Sequence, residues 1–114
     1  MNITKIGHGE NPDAVNAIIE VPLNSNIKYE IDKESGAVEV DRVLYSAIHY
    51  PANYGFVANT LSDDGNPVDI LVVCDYPLQT GSYIKCRLMG VLLTEDESGG
   101  DEKLIAVPIE KIDP

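Results

Sequence analysis

The stretch IKYEIDKESGAVEVDR, residues 27–42, decides the fold class. Ile27, Tyr29 and Ile31 alternate with Lys28, Glu30 and Asp32, the period of a half-buried strand. Lys33-Glu34-Ser35-Gly36 is a run of turn formers. The return run Ala37–Val43 alternates again, which predicts Val38, Val40 and Arg42 on one face. The segment reads as a β-hairpin.

Working outward, the same signals recur. Toward the N-terminus, Ala17–Val21 is a short apolar run closed by Pro22. Before it, Asn11-Pro12 has the form of a helix N-cap with proline at the first helical position, which predicts one helical turn through Asp13–Asn16. Toward the C-terminus, strands are expected over Tyr54–Leu61, Val68–Cys74, Tyr83–Leu93 and Lys103–Val107. Ile84, Cys86 and Leu88 fall on one face of the long strand. Asp63–Pro67, Pro77–Ser82 and the acidic Glu95–Glu102 are expected to be loops. Short strands at this spacing predict a mostly β fold, a small closed or nearly closed barrel. At 114 residues, without linker or repeat, the chain is expected to form a single domain over 1–114.

Charge narrows the function. Nineteen Asp and Glu face eight Lys and Arg, a net −11. That sign argues against duplex nucleic acid and against an anionic membrane surface as partners. A barrel of the type that binds single-stranded nucleic acid would use a basic groove with stacking aromatics, and only 6% of residues are aromatic. Either the partner is cationic, or metal ions mediate. The N-terminal sequence lacks the apolar stretch of a secretory signal. Cys74 and Cys86 lie in apolar strand-like runs, with no CxxC pair or His cluster. They read as reduced core thiols of a cytoplasmic protein.

Four constellations carry chemistry. Asp63-Asp64-Gly65-Asn66-Pro67-Val68-Asp69 packs three carboxylates and an amide beside a strand start. It reads either as a solvated acidic turn or as a loop aiming oxygens at a hard cation such as Mg2+. In Glu95–Glu102 five of eight residues are acidic, a solvated loop unless it converges with the first; convergence would require cations between them. Lys28 and Glu30, with Arg42 on the next strand, read as an exposed cross-strand face or as an anion clamp, since Arg presents a fork suited to phosphate. In Tyr50-Pro51-Ala52-Asn53-Tyr54-Gly55-Phe56 two tyrosines flank a Pro-Asn turn; they pack a corner, or donate to a phosphate oxygen. Taken together, carboxylates would hold cations, and the cations with Lys28, Arg42 and Lys103 would hold a polyphosphate-like anion.

The stretches IIEVP (18–22), IKYEIDKESGAVEVDR (27–42), YPANYGFV (50–57), DDGNPVDILV (63–72), YPLQTGS (76–82) and DEKLIAVP (101–108) resemble, in order, those of the soluble family I inorganic pyrophosphatases of the compact prokaryotic type. The resemblance covers nearly the whole chain. It implies an OB-like five-stranded β-barrel core with the site at its mouth. It implies Mg2+-dependent hydrolysis of pyrophosphate to two orthophosphates by a metal-activated water, with Mn2+ or Co2+ as substitutes. Asp64, Asp69 and Asp101 match carboxylates around the tighter metal pair, and Asp96 matches a ligand of the metals arriving with substrate. Glu20 and Glu30 match acidic residues at the same end. Lys28, Arg42, Tyr54 and Lys103 match phosphate-binding groups, while Tyr50 and Glu97 match positions of less direct role. Implied partners are pyrophosphate and phosphate, not nucleic acid or membrane, and the family is homo-oligomeric, commonly hexameric.

Two departures bear on activity. Asn66 stands where the family pattern has an aspartate that accepts the proton of the attacking water. An amide lacks that basicity, so reduced activity is expected. The family pattern also continues past Pro114, with a Tyr-Lys pair for phosphate and helices packed on the barrel. The expectation is a C-terminally shortened chain, those helices absent, whose uncovered apolar face drives self-association. The competing reading is a non-catalytic barrel fragment that binds metal and phosphate.

Overall fold

A computed structural model describes residues 7–10, 12–44, 51–60, 67–96 and 99–113; of residues 94–96 and 99–101 it describes the backbone. Their regular structure is all strand: β1 Gly9–Glu10, β2 Ala14–Val21, β3 Ile27–Ile31, β4 Val38–Val43, β5 Asn53–Val57, β6 Asp69–Val72, β7 Tyr83–Asp96 and β8 Gly99–Pro108.

The apolar run AIIEV lies in β2, and the ladders show why it is so apolar. β2 pairs antiparallel with β5 on one side (Ala17 opposite Val57) and with β7 on the other (Ala17 opposite Ile84). The hydrogen-bonded order β2-β5-β6-β8-β7 therefore returns to β2 and closes a five-stranded barrel, the expected architecture. Every neighbouring pair in that ring is antiparallel except β6 with β8, where Ile70 lies beside Leu104. Val15, Ala17 and Ile19 of β2 face the barrel interior with Ile70, Val72 and Cys86. Ile18, on the opposite face of the strand, packs with Ile31, Phe56 and Ala58 beneath the β3–β4 ribbon. Both faces of β2 are thus covered, so apolar residues occupy both.

β2 and β5 approach closely at Gly55, where an added Cβ would meet the Ile18 carbonyl oxygen at 1.9 Å. The ribbon β3–β4 forms its own two-stranded sheet and shares no ladder with the barrel. Its turn over 33–35 ends at Gly36 (φ 78°), a left-handed position that glycine accepts without strain. Asp32 anchors that turn: its Oδ1 accepts the Glu34 N–H at 2.9 Å. This contact and the Ser35 hydroxyl hold the Asp32 carboxyl below its usual range.

Three bulges punctuate the ladders, at Glu20, Asp41 and Met89. The second corrects the alternation of the return strand. Tyr29 pairs with Val40 but Lys28 pairs with Arg42, so Asp41 is an extra residue. Directly opposed residues share a face, so Arg42 lies with Lys28 and not with Val38 and Val40.

Other expectations also shift. The helical turn over Asp13–Asn16 is absent: Pro12 and Asp13 form a hairpin turn, and Ala14–Asn16 are already strand, paired with β1 or β7. The capping residue Asn11 lies outside the described residues. β5 ends at Val57, and Cys74 lies two residues past β6. Of the acidic run expected as a loop, residues 95–96 and 99–102 are strand: β7 and β8 remain paired out to Asp96 opposite Gly99, so backbone pairing holds residues whose composition reads as solvated. On β7, Met89, Val91, Leu92 and Leu93 are exposed apolar residues, between 41% and 71% accessible.

Candidate functional site

A cavity of about 210 Å³ opens between the ribbon and the barrel. β2 contributes Glu20, β3 contributes Lys28 and Glu30, the ribbon turn contributes Lys33, β5 contributes Tyr54 and Phe56, and β6 contributes Asp69. The expected site residues Glu20, Lys28, Glu30, Tyr54 and Asp69 are thus brought to one cavity, although they span 50 positions of sequence. Lys103 joins them from β8: its Nζ lies 3.7 Å from Asp69 Oδ2 and 5.8 Å from the centre of the Tyr54 ring. The parallel pairing of β6 with β8 places these residues side by side.

Arg42 is not part of the cavity lining. It shares a face with Lys28, but its side chain is 65% exposed and its Nε donates to Asp41 Oδ2 at 2.9 Å. Asp41 also takes Lys28 Nζ at 3.7 Å. The Arg42 contact foremost, with Lys28 assisting, holds the Asp41 carboxyl below its ordinary range against a small desolvation penalty. Glu20 is 7% exposed. Its Oε2 accepts the Ile31 N–H at 2.8 Å and the Lys33 ammonium at 3.4 Å. Lys33 Nζ also stands 4.7 Å above the Phe56 ring.

Of the other expected residues, Asp64, Asn66 and Tyr50 fall outside the described residues, as does Glu97. For Asp96 and Asp101 the backbone register is defined, with Asp101 opposite Thr94. The described residues on either side of 61–66 are tied together next to Asp69. Val57 N donates to Val68 O at 2.8 Å, and Thr60 Oγ1 links Val57 O (2.8 Å) to Val68 N (3.1 Å). Among the described residues no three His, Cys, Asp or Glu side chains converge as a metal-binding group.

Sequence reading missed three participants. Lys33 reads as a turn residue and Asp41 as ordinary strand polarity. Asn53, read as part of a turn, is the wholly buried hub behind Tyr54. Its Oδ1 accepts the Leu23 and Leu78 N–H groups, each at 2.8 Å, and its Nδ2 donates to Tyr76 O at 2.9 Å. An Asn before an aromatic strand was the available signal, but its burial depends on contacts 30 residues before it and 25 after.

The family model for inorganic pyrophosphatase matches residues 17–114. An inorganic pyrophosphatase of Campylobacter jejuni is 67% identical over 113 residues, covering 99% of this chain and 66% of its own. One from Helicobacter pylori is 61% identical over 114 residues, covering 100% and 66%. The chain therefore spans just under two thirds of the length of these curated relatives. Among solved structures, the H. pylori inorganic pyrophosphatase superposes with a TM-score of 0.91 at 62% identity, over 96% of this chain and 65% of that one. The Thermus thermophilus inorganic pyrophosphatase gives 0.89 at 44% identity, over 99% and 67%.

Proposed function

Because the chain belongs to the inorganic pyrophosphatase family, we propose that its cavity binds pyrophosphate and directs its hydrolysis to two orthophosphates. The observation that supports this most is the meeting of Lys28, Tyr54 and Asp69 at one cavity, with Lys103 on Asp69. Lys28 and Lys103 supply point charges for phosphate oxygens, and the Tyr54 phenol supplies a directional donor. Arg42, on the Lys28 face, reaches the anion by exchanging Asp41 for it.

The donor chemistry suits a hard divalent cation: Glu30 and Asp69 offer carboxylate oxygens, and Asp64, Asp96 and Asp101 are the proposed remaining ligands. Glu20, taken by Ile31 and Lys33, is the least available of the expected ligands. Mg2+, with Mn2+ or Co2+ as substitutes, would neutralise phosphate charge and acidify the attacking water. Asn66 at the family's proton-accepting position lowers the rate by roughly 10²–10⁴ relative to an aspartate there.

The test is orthophosphate release from pyrophosphate across a Mg2+ titration, with EDTA as blank, for the chain and for Asn66→Asp. Metal-dependent release, higher in N66D, supports the proposal. No release from either variant overturns hydrolysis; retained phosphate binding would then favour a binding barrel. Equal rates overturn the role given to residue 66. The exposed apolar residues Met89, Val91, Leu92 and Leu93 of β7 are proposed to mediate self-association, and a monomer by light scattering at high concentration argues against that. Among the described residues no helix is long and apolar enough to cross a membrane.

A further inference from the structure

The ribbon β3–β4 carries Lys28, Glu30 and Arg42, yet no ladder ties it to the barrel. Among the described residues, its hydrogen-bonding, ion-pair and core contacts with the barrel gather at one end. Ile31 is 1% exposed, packed against Ile18, Phe56 and Ala58. The Ile31 N–H donates to Glu20 Oε2 at 2.8 Å. Lys33 Nζ reaches the same oxygen at 3.4 Å and covers the Phe56 ring. Glu20 is itself a bulge residue: Ile19 pairs with Gly55 and Val21 with Tyr54, so the extra residue can aim its side chain out of the ladder at the ribbon.

We propose that Lys33 is a positioning residue for the anion site: it holds Glu20 under Ile31 and thereby fixes the ribbon, and Lys28 with it, over the cavity. The proposal rests on the pyrophosphate reading for what the site binds. A carboxylate this buried needs a compensating charge, and a single amide N–H does not provide one. Without Lys33 the Glu20 carboxylate turns toward water, and the Ile31 N–H loses its acceptor. Lys28 stands three residues from Ile31, about 10 Å along the strand, so loosening at the clasp reaches the anion ligand. The ammonium of Lys33 is also at the cavity wall, so direct binding of the anion is the rival explanation.

The experiment compares the full chain with Lys33→Met and Lys33→Arg. Amide hydrogen exchange reads the ribbon and the barrel separately. Calorimetric titration with methylenediphosphonate, a non-hydrolysable diphosphate, reads the site in excess Mg2+. K33M is expected to exchange the Ile31 amide about tenfold faster, with the β2–β5 and β7–β8 amides unchanged, and to bind the probe about tenfold more weakly. K33R, which keeps the charge, restores most of both.

Weaker binding with unchanged Ile31 exchange overturns the clasp in favour of direct anion contact. Faster Ile31 exchange with unchanged affinity overturns the link to the site. Loss of barrel protection in K33M also overturns the proposal, because the residue would then be supporting the whole fold. A wild-type chain that binds no diphosphonate refutes the pyrophosphate reading and the anion half of the proposal; the exchange result still decides the clasp.

Discussion

Replacing Asn53 by alanine should destabilise the fold by about 3 kcal/mol. The side chain is fully buried, so no solvent contact is lost; what is lost is its hydrogen bonding. Leu23 N and Leu78 N both give up the same acceptor, and the Tyr76 carbonyl gives up its donor. An orphaned N–H costs roughly 1–3 kcal/mol, and these two are only part-buried, so the lower half of that range applies to each. Packing lost around Cβ adds a smaller amount. For a protein with total stability of about 5–15 kcal/mol the change is large. In urea, with a slope of about 2 kcal/mol/M, the midpoint falls by about 1.5 M at unchanged slope. A shift worth less than about 1 kcal/mol refutes the hub.

Asn53→Asp sharpens the test. It keeps both acceptor bonds but sets a carboxylate oxygen against the Tyr76 carbonyl, where Nδ2 now donates at 2.9 Å. The charged form is disfavoured in the native state, so the folded pKa of this aspartate rises above its unfolded value. The stability it retains is present below the unfolded pKa and lost as pH rises through the folded one. N53D minus wild type should therefore become less destabilised as the pH is lowered from 7. A flat difference contradicts the donor role of Nδ2.

Two further predictions follow from burial. The Cys86 thiol is pushed from 9.0 up to about 12 by desolvation, with a smaller push from Cys74, so unfolded chains ionise it first and stability present below pH 9 is lost between 9 and 12. By pH 10.5 that loss is about 2 kcal/mol, seen as the pH-dependent difference in urea midpoint between wild type and Cys86→Ala; parallel profiles would exclude it. Gly55→Ala forces a Cβ against the Ile18 backbone, which cannot rotate away, and should cost about 3 kcal/mol or about 10 °C in Tm. A melting point within about 2 °C of wild type would show that the two strands can separate there at little cost.

The barrel was legible because its information is local. The apolar runs near Ile18 and Ile70 each report one barrel strand, the alternation in Ile27–Val43 reports the two strands of the ribbon, and five short barrel strands leave few ways to close. The bulges were not legible, because a bulge is a single backbone residue with no composition of its own. Strict period-two counting therefore assigned Arg42 to the valine face, and only the pairing of Tyr29 with Val40 reveals Asp41 as the insertion. The Asn11-Pro12 signal failed for a related reason: proline suits the first residue of a helix and a hairpin turn alike, and the ladder with β7 decided it. Charge misled over residues 95–96 and 99–102, where backbone pairing, which composition does not record, extends β7 and β8 into an acidic run. Of the described residues matched by motif, Glu20, Lys28, Glu30, Tyr54 and Asp69 line one cavity and Arg42 does not, while Lys33 depends on Glu20 and Phe56, 13 and 23 positions away.

The proposed function requires so acidic a chain to take an anion, and the ion pairs of the candidate site bear on how it would do so. Lys28 and Arg42 share Asp41, Lys33 has Glu20, and Lys103 has Asp69. Each of these cations already faces a carboxylate, so the protein alone offers a diphosphate little net attraction, and its overall −11 opposes approach. The pairs at Lys28 and Lys33 hold two cavity-lining side chains in place, which would lower the ordering cost when the anion arrives. Under the proposed function, binding would proceed by exchange: a phosphate oxygen would replace a carboxylate on each cation, and the released carboxylate would need a new positive partner. Divalent cations entering with the anion would meet that need at Asp69 and Glu30, with Glu20 staying with the ribbon. On this account, diphosphonate affinity depends steeply on Mg2+ and only weakly on monovalent salt. A dependence dominated by monovalent salt would mean that unpaired surface charge, and not partner exchange, draws the anion in.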